Sequence, residues 1–116
     1  VDDDAKQMPF GESELGVTGL ELLLPLTLKW GAETRLPLAR SLARVTCEPA
    51  RVLGVAGGHL GVGAPADVCI FDAEAWFKVA PETLRSQGKN TPFLGYELPG
   101  VVRWTLVAGE VRFGRE

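Results

Sequence analysis

The chain has 116 residues, 46% of them hydrophobic and 23% charged, and a formal net charge of −3. That is the length of one ordinary domain with enough apolar residues for a packed core, which excludes an intrinsically disordered segment. The weak negative charge, with no basic stripe, leaves no electrostatic footprint for nucleic acid or an anionic membrane surface, so neither is an expected partner.

Residues 1–17 read as a loop. The chain begins with Val1 and runs straight into "DDDAKQMPFGESELG", polar and punctuated by Gly and Pro. The expectation is a start cut through a larger protein. The carboxylates of Asp2, Asp3 and Asp4 suit a hard cation. Their spacing matches no calcium loop, so a solvated loop is the preferred reading.

Thr18 opens a helix, and Glu21 three positions later makes "TGLE" a capping box, in which each side chain satisfies an exposed backbone donor. The helix continues through "LELLLPLTLKW" to Gly31 as a C-terminal cap, with an internal kink at Pro25 that frees the Glu21 carbonyl. Its apolar residues do not form one stripe. Leu20, Leu23, Leu24 and Leu28 cover one side, while Leu22, Leu26 and Trp30 spread round the other. Each exposed Leu forgoes about 1.5–3 kcal/mol of burial. Three or four of them left wet cost about as much as a domain's net stability. This helix therefore expects protein on most sides.

A second helix follows Pro37, with Leu38, Leu42 and Val45 at helical spacing. A third begins after Thr46, carries Pro49 in its first turn and ends at Gly54. "VAGGHLGVGAPA" is a Gly-rich connection and matches neither a phosphate loop nor a dinucleotide fingerprint. His59, the single histidine, is read as structural, because no Cys or His partner lies near it in sequence. "DVCIFD" is a short apolar run that suits a strand covered on both faces. The flanking Asp67 and Asp72 are read as turn acceptors, in preference to a catalytic pair. "WFKVA" reads as another strand, "PETLRSQ" as one helical turn, and "VVRWTLVAGEVRF" as a hairpin turning at Ala108-Gly109.

Cys47 and Cys69 are the two cysteines, each beside apolar neighbours. With no signal peptide and no membrane-length apolar run, the expectation is a reduced cytoplasmic protein with both thiols buried. The order loop, helices, antiparallel strands reads as an α+β segment without a catalytic constellation of its own.

Four stretches together resemble one family. "GVGAPADVCIFD" resembles the Gly-x-x-Ala-Asp-apolar-Asp segment of the amidohydrolase superfamily. "SQGKNTPFLG", residues 86–95, is similar to the Ser-x-Gly-Lys-Asn-Thr-Pro-Phe-x-Gly of bacterial dihydroorotases. "PFGESELGVTGLELLLPL" and "GVVRWTLVAGEVRF" resemble the loop and helix after the last barrel strand and the closing hairpin of the same enzymes. The resemblance covers essentially the whole chain in order. It implies an α/β parent, a (β/α)8 metal-dependent hydrolase barrel with a small β-sandwich domain. Residues 1–55 would supply the last barrel loop and helices, and residues 56–116 the C-terminal part of the β-domain with a connecting loop.

The implied activity is interconversion of N-carbamoyl-L-aspartate and L-dihydroorotate in pyrimidine synthesis, with zinc activating a water or hydroxide. The resemblance places the zinc ligands and the proton-moving aspartate upstream of Val1. This chain would be one wall of the site, inactive alone, and partnered by the rest of the barrel in a homo-oligomer. Leu15 and Gly16 match the pair whose backbone touches substrate, and Gly16 suits a close backbone approach. Val1 falls where the family has a substrate-contacting histidine, and a valine cannot hydrogen-bond a carboxylate. Two alternatives therefore stand beside the enzyme. One is a catalytically silent dihydroorotase-like scaffold for aspartate transcarbamoylase. The other is a different cyclic amidohydrolase, which "KNTPF" disfavours. The 86–95 loop is read as a structural clamp in preference to a substrate contact. Pro92 and Gly95 fix its path, Phe93 anchors it, and Lys89 and Asn90 supply hydrogen bonds.

Overall fold

A computed structural model describes residues 4–115. Val1 and the acidic residues Asp2 and Asp3 lie outside them. Asp4 is exposed and opens a 3₁₀ turn, Asp4–Lys6. A second 3₁₀ turn, Leu20–Leu22, leads into α1 (Leu23–Glu33), followed by α2 (Leu38–Ala43) and α3 (Cys47–Leu53). Three antiparallel strands complete the order: β1 (Val68–Lys78), β2 (Glu97–Val107) and β3 (Glu110–Gly114), with β2 in the centre. Among the described residues no helix is long and apolar enough to cross a membrane.

The first helix departs from its expected design in three ways. Pro25 is the third residue of α1. There its missing N–H belongs to the set with no intrahelical acceptor, so the proline starts the helix and does not interrupt it. Gly31 does not end α1, which runs on to Glu33 with Thr34 as its cap. Its role is close approach, because a Cβ at Gly31 would collide with the Ser41 side chain of α2. Thr18 and Glu21 form no capping box, since Gly19 is the cap of the 3₁₀ turn and no side chain bonds there. Helices α2 and α3 follow expectation. Pro37 precedes α2, and Gly54 closes α3 in the left-handed region at φ 67°.

β1 merges the two strands expected from "DVCIFD" and "WFKVA" into one. Its ladder to β2 passes from Asp72↔Val101 to Trp76↔Pro99, so β1 carries the excess residues of a bulge there. Asp72 satisfies the displaced amides: its Oδ1 accepts from the N–H of Glu74 at 3.0 Å and of Ala75 at 3.1 Å. The expected cover on both faces of "DVCIFD" is not supplied, because Cys69 and Ile70 are exposed. The closing hairpin is as expected. Ala108 (φ 51°) and Gly109 (φ 81°) are both left-handed, the signature of a type I′ turn. The unusual Ala108 conformation is held from outside, since the Asp67 carboxylate accepts the Ala108 N–H at 2.8 Å and the Ala66 carbonyl accepts that of Gly109 at 3.0 Å. Both aspartates thus serve turns and bulges.

The core lies where helix and sheet meet. Leu22, Val79, Leu84 and Leu98 are its buried members, with Leu26, Phe77 and Phe93 packed around them. α1 rests on β2 at Gly100, where a Cβ would run into Leu28. The core is small for the chain. The radius of gyration is 16.2 Å, against about 13 Å for a compact domain of this length. The accessible surface of 8314 Å² is about a third above the ~6,200 Å² expected of a compact monomer of this mass. The excess is apolar in part: Leu20 of the 3₁₀ turn and Leu23 and Trp30 of α1 are exposed, as are Trp76, Ile70 and Leu60.

The Gly31 contact gives a stability test. Alanine is the better helix former by about 1 kcal/mol, yet overpacking costs about 1–3 kcal/mol. Gly31→Ala is therefore expected to lower the melting temperature, and Ser41→Gly in the same protein to restore part of the loss. A melting temperature raised by Gly31→Ala would show that α1 and α2 do not meet at this point.

Candidate functional site: an interlock between residues 16–21 and 85–90

Two segments some seventy residues apart in sequence are tied together by directional bonds. The Thr18 N–H donates to the Asn90 carbonyl at 2.7 Å, and the Thr18 hydroxyl donates to the Gly88 carbonyl at 2.8 Å. Glu21 accepts two backbone donors, from Arg85 N–H to Oε2 at 2.9 Å and from Ser86 N–H to Oε1 at 2.8 Å. The Asn90 side-chain amide donates to the Gly16 carbonyl at 3.3 Å. Thr18 is buried, so its two bonds are shielded from solvent, while the Arg85–Glu21 and Asn90–Gly16 bonds lie at the surface.

The loop is stiffened from within. Lys89 Nζ donates to the carbonyls of Leu84 (2.8 Å) and Ser86 (2.6 Å), folding its ammonium back over its own backbone. Phe93 packs against the core cluster and meets Tyr96 edge-to-face with ring centroids 5.6 Å apart. Gly95, at φ 84°, returns the chain so that its N–H donates to the Val79 carbonyl at 2.8 Å. The 86–95 stretch therefore has the bonding of a clamp.

Glu21 is the charged member of the interlock. Its partial burial works to raise its pKa. The N–H donors of Arg85 and Ser86, the Ser86 side chain and the positive charge of Lys89 outweigh that and hold it below the ordinary carboxylate value.

Leu15 and Gly16, the two residues matched to substrate contact, sit at the edge of this interlock. Leu15 is 94% exposed, and Gly16 is exposed with φ 112°, a conformation that favours glycine. The structure brings Gly16 to Asn90 and leaves the Leu15 side chain uncovered. His59 is exposed in the connection after α3, and its Nδ1 accepts the Gly61 N–H at 3.1 Å. The cysteines are not buried as expected: Cys47 is half-buried and Cys69 exposed. Among the described residues no group of three or more His, Cys, Asp or Glu side chains could hold a metal ion. The donor set of the described residues does not fit a zinc site.

Thr18, Glu21 and Asn90 act together, and sequence reasoning did not connect them. The available signal was a polar stretch, residues 86–90, too rich in hydrogen-bonding groups for a solvent loop. The spacing of Thr18 and Glu21 pointed to a local bond instead.

Comparison with known proteins follows the same elements. The family model described as "Amidohydrolase family" matches residues 29–113. The chain is 47% identical over 113 residues to a "Dihydroorotase-like protein" of Pseudomonas putida, covering 97% of this chain and 26% of that protein. It is 38% identical over 112 residues to a "Dihydroorotase" of Geobacter metallireducens, with 97% and 26% covered. Among solved structures, an L-hydantoinase (dihydropyrimidinase) from Arthrobacter aurescens superposes with a TM-score of 0.78 at 32% identity, covering 97% of this chain and 26% of that one. A D-hydantoinase gives a TM-score of 0.84 at 23% identity over 98% of this chain and 25% of that one, a likeness of fold. The chain spans about a quarter of the length of the relatives it matches.

The Glu21 shift has a testable sign. A carboxylate whose pKa is depressed in the folded state contributes stability above its unfolded pKa and loses it as the pH falls through the folded value. Glu21→Gln is expected to lower stability by ~1 kcal/mol near neutral pH, after allowance for solvent screening. The difference in melting temperature from the unaltered protein should shrink as the pH falls through the depressed folded-state pKa of Glu21, below which both carry a neutral side chain. A gap that stays constant from neutral to acid pH would contradict the charged interlock.

Proposed function

Because the chain belongs to the amidohydrolase family, we propose that it is part of a dihydroorotase, a zinc-dependent cyclic amidohydrolase that interconverts N-carbamoyl-L-aspartate and L-dihydroorotate in de novo pyrimidine biosynthesis. The observation that carries this reading is the "KNTPF" loop in its structural setting. The motif that resembles bacterial dihydroorotases is the segment that locks residues 16–21 in place. Relatives named dihydroorotase, 36–40% identical across nearly the whole chain, support it.

In this reading residues 1–55 are the last barrel loop and helices, and residues 56–116 are part of the β-domain. Leu15 and Gly16 offer backbone to the substrate from one wall of the site. Zinc, the proton-moving aspartate and the other substrate contacts belong to residues outside this chain. The exposed apolar residues Leu20 of the 3₁₀ turn and Leu23 and Trp30 of α1 are the surface that the remaining barrel covers. A cytoplasmic homo-oligomer is the expected setting.

A second reading is a dihydroorotase-like subunit without catalysis that serves as a scaffold for aspartate transcarbamoylase. Val1, at the position of a substrate-contacting histidine, favours it, and the Pseudomonas relatives carry the name "Dihydroorotase-like protein".

The experiment is dihydroorotate hydrolysis and zinc content of the full-length polypeptide. The enzyme reading expects bound zinc and turnover of dihydroorotate in preference to hydantoin. Stable association with aspartate transcarbamoylase in the absence of turnover would establish the scaffold instead. Residues 1–116 alone are expected to show no turnover, and measurable hydrolysis by them would refute the assignment of the chemistry to other residues.

A further inference from the structure

We infer that Asn90 and Thr18 are positioning residues for ligand binding, setting the Leu15–Gly16 backbone through the 85–90 loop. The inference rests on the reading that this backbone contacts substrate.

Three observations lead to it. Gly16 stands in a left-handed conformation at φ 112° and is exposed, so little apolar burial holds it. The Asn90 amide grips the Gly16 carbonyl at 3.3 Å, and the Asn90 carbonyl accepts the N–H of Thr18, two residues further on, at 2.7 Å. One residue of a distant loop thus bonds both sides of the same short segment. Thr18 then returns a bond from its hydroxyl to Gly88, so position 16–18 and position 88–90 are tied at three points. Glu21 anchors the start of that loop through the amides of residues 85 and 86.

The arrangement has a mechanical consequence. A backbone group that binds ligand contributes fully only when it is already in place, because ordering it on binding costs about 1–2 kcal/mol per residue. The loop performs that ordering in advance. The side chains of Asn90 and Thr18 are engaged with backbone carbonyls in this process. They act on ligand through Gly16 and not by touching it.

The test uses the full-length protein and direct titration with dihydroorotate, so that it reads a catalytic and a silent protein alike. Asn90→Ala, the near-isosteric Asn90→Asp, which cannot donate to the Gly16 carbonyl, and Thr18→Val, which keeps the shape and loses the hydroxyl, are compared. Each is expected to weaken binding about 2- to 10-fold, the range for one lost hydrogen bond. Amide hydrogen exchange at residues 16–18 should quicken in the same variants. In a catalytically active protein KM rises while kcat holds within about twofold, because the contact serves ground state and transition state alike. A merely structural role would lower the active fraction, and with it kcat, leaving KM in place.

Gly16→Val separates the substrate contact from the positioning role. Weakened binding in Gly16→Val with unchanged binding in the Asn90 and Thr18 variants overturns the positioning role and keeps the substrate contact. Unchanged binding in all of them, or no binding of dihydroorotate by the unaltered protein, overturns the substrate contact and the positioning role together.

Discussion

The described structure depends on the double acceptance by Glu21 of the Arg85 and Ser86 amides. These donors lie more than sixty residues away in sequence, and their loop has no strand or helix to satisfy them. A buried or half-buried backbone donor without a partner costs as much as a lost hydrogen bond. The carboxylate meets the half-buried Ser86 donor and the exposed Arg85 donor at once, and being charged it binds them more strongly than a neutral acceptor does. The 3₁₀ turn at Leu20–Leu22 follows from this. The chain turns tightly there so that Glu21 faces the loop while Leu22 enters the core beside Leu84, the residue that precedes the tied amides. Polar interlock and apolar core are therefore adjacent consequences of one turn.

That economy explains how so small a core holds an elongated chain. Apolar burial is strong but non-directional. Leu22, Val79, Leu84 and Leu98 bring helix and sheet together without fixing their register. Register comes from close approaches that exclude other arrangements, at Gly31 against Ser41 and at Gly100 against Leu28. It comes also from polar ties that have one geometry, at Asp67 on the hairpin turn and Asp72 on the bulge. The large accessible surface and the exposed Leu20, Leu23 and Trp30 leave apolar area that the proposed barrel would cover.

Local features of this chain were legible in its sequence, and long-range ones were not. Pro37, Pro49 and Gly54 placed α2 and α3 because their effect is confined to neighbouring dihedrals. Ala108-Gly109 placed the hairpin for the same reason. The capping box failed because Thr18 and Glu21 have the right spacing for a local bond and a better offer from a distant loop. Gly31 misled similarly: glycine ends helices, but it also admits a neighbour, and only packing decides which. Cys69 was expected inside on the strength of its apolar neighbours, yet β1 is covered on fewer faces than its composition invites. Of the candidate site, the pair Leu15 and Gly16 came from resemblance, and the clamp character of residues 86–95 from composition. The partners of that clamp lie more than sixty residues away and leave no local signal in the sequence.

The polar stretch "SQGKNTPFLG" can now be accounted for in physical terms. Apolar contacts alone cannot hold a short exposed segment such as residues 15–16 in one conformation, because such contacts tolerate sliding. Hydrogen bonds with fixed donors and acceptors do not. A loop that fixes backbone must therefore be rich in polar groups and poor in conformational freedom. Pro92 removes that freedom at one end, Gly95 admits the left-handed turn that returns the chain, Lys89 stiffens the middle, and Phe93 secures the loop to the core. Ten residues without helix or strand are what such a device requires. Their composition follows from the bonds they make and not from the surface they cover.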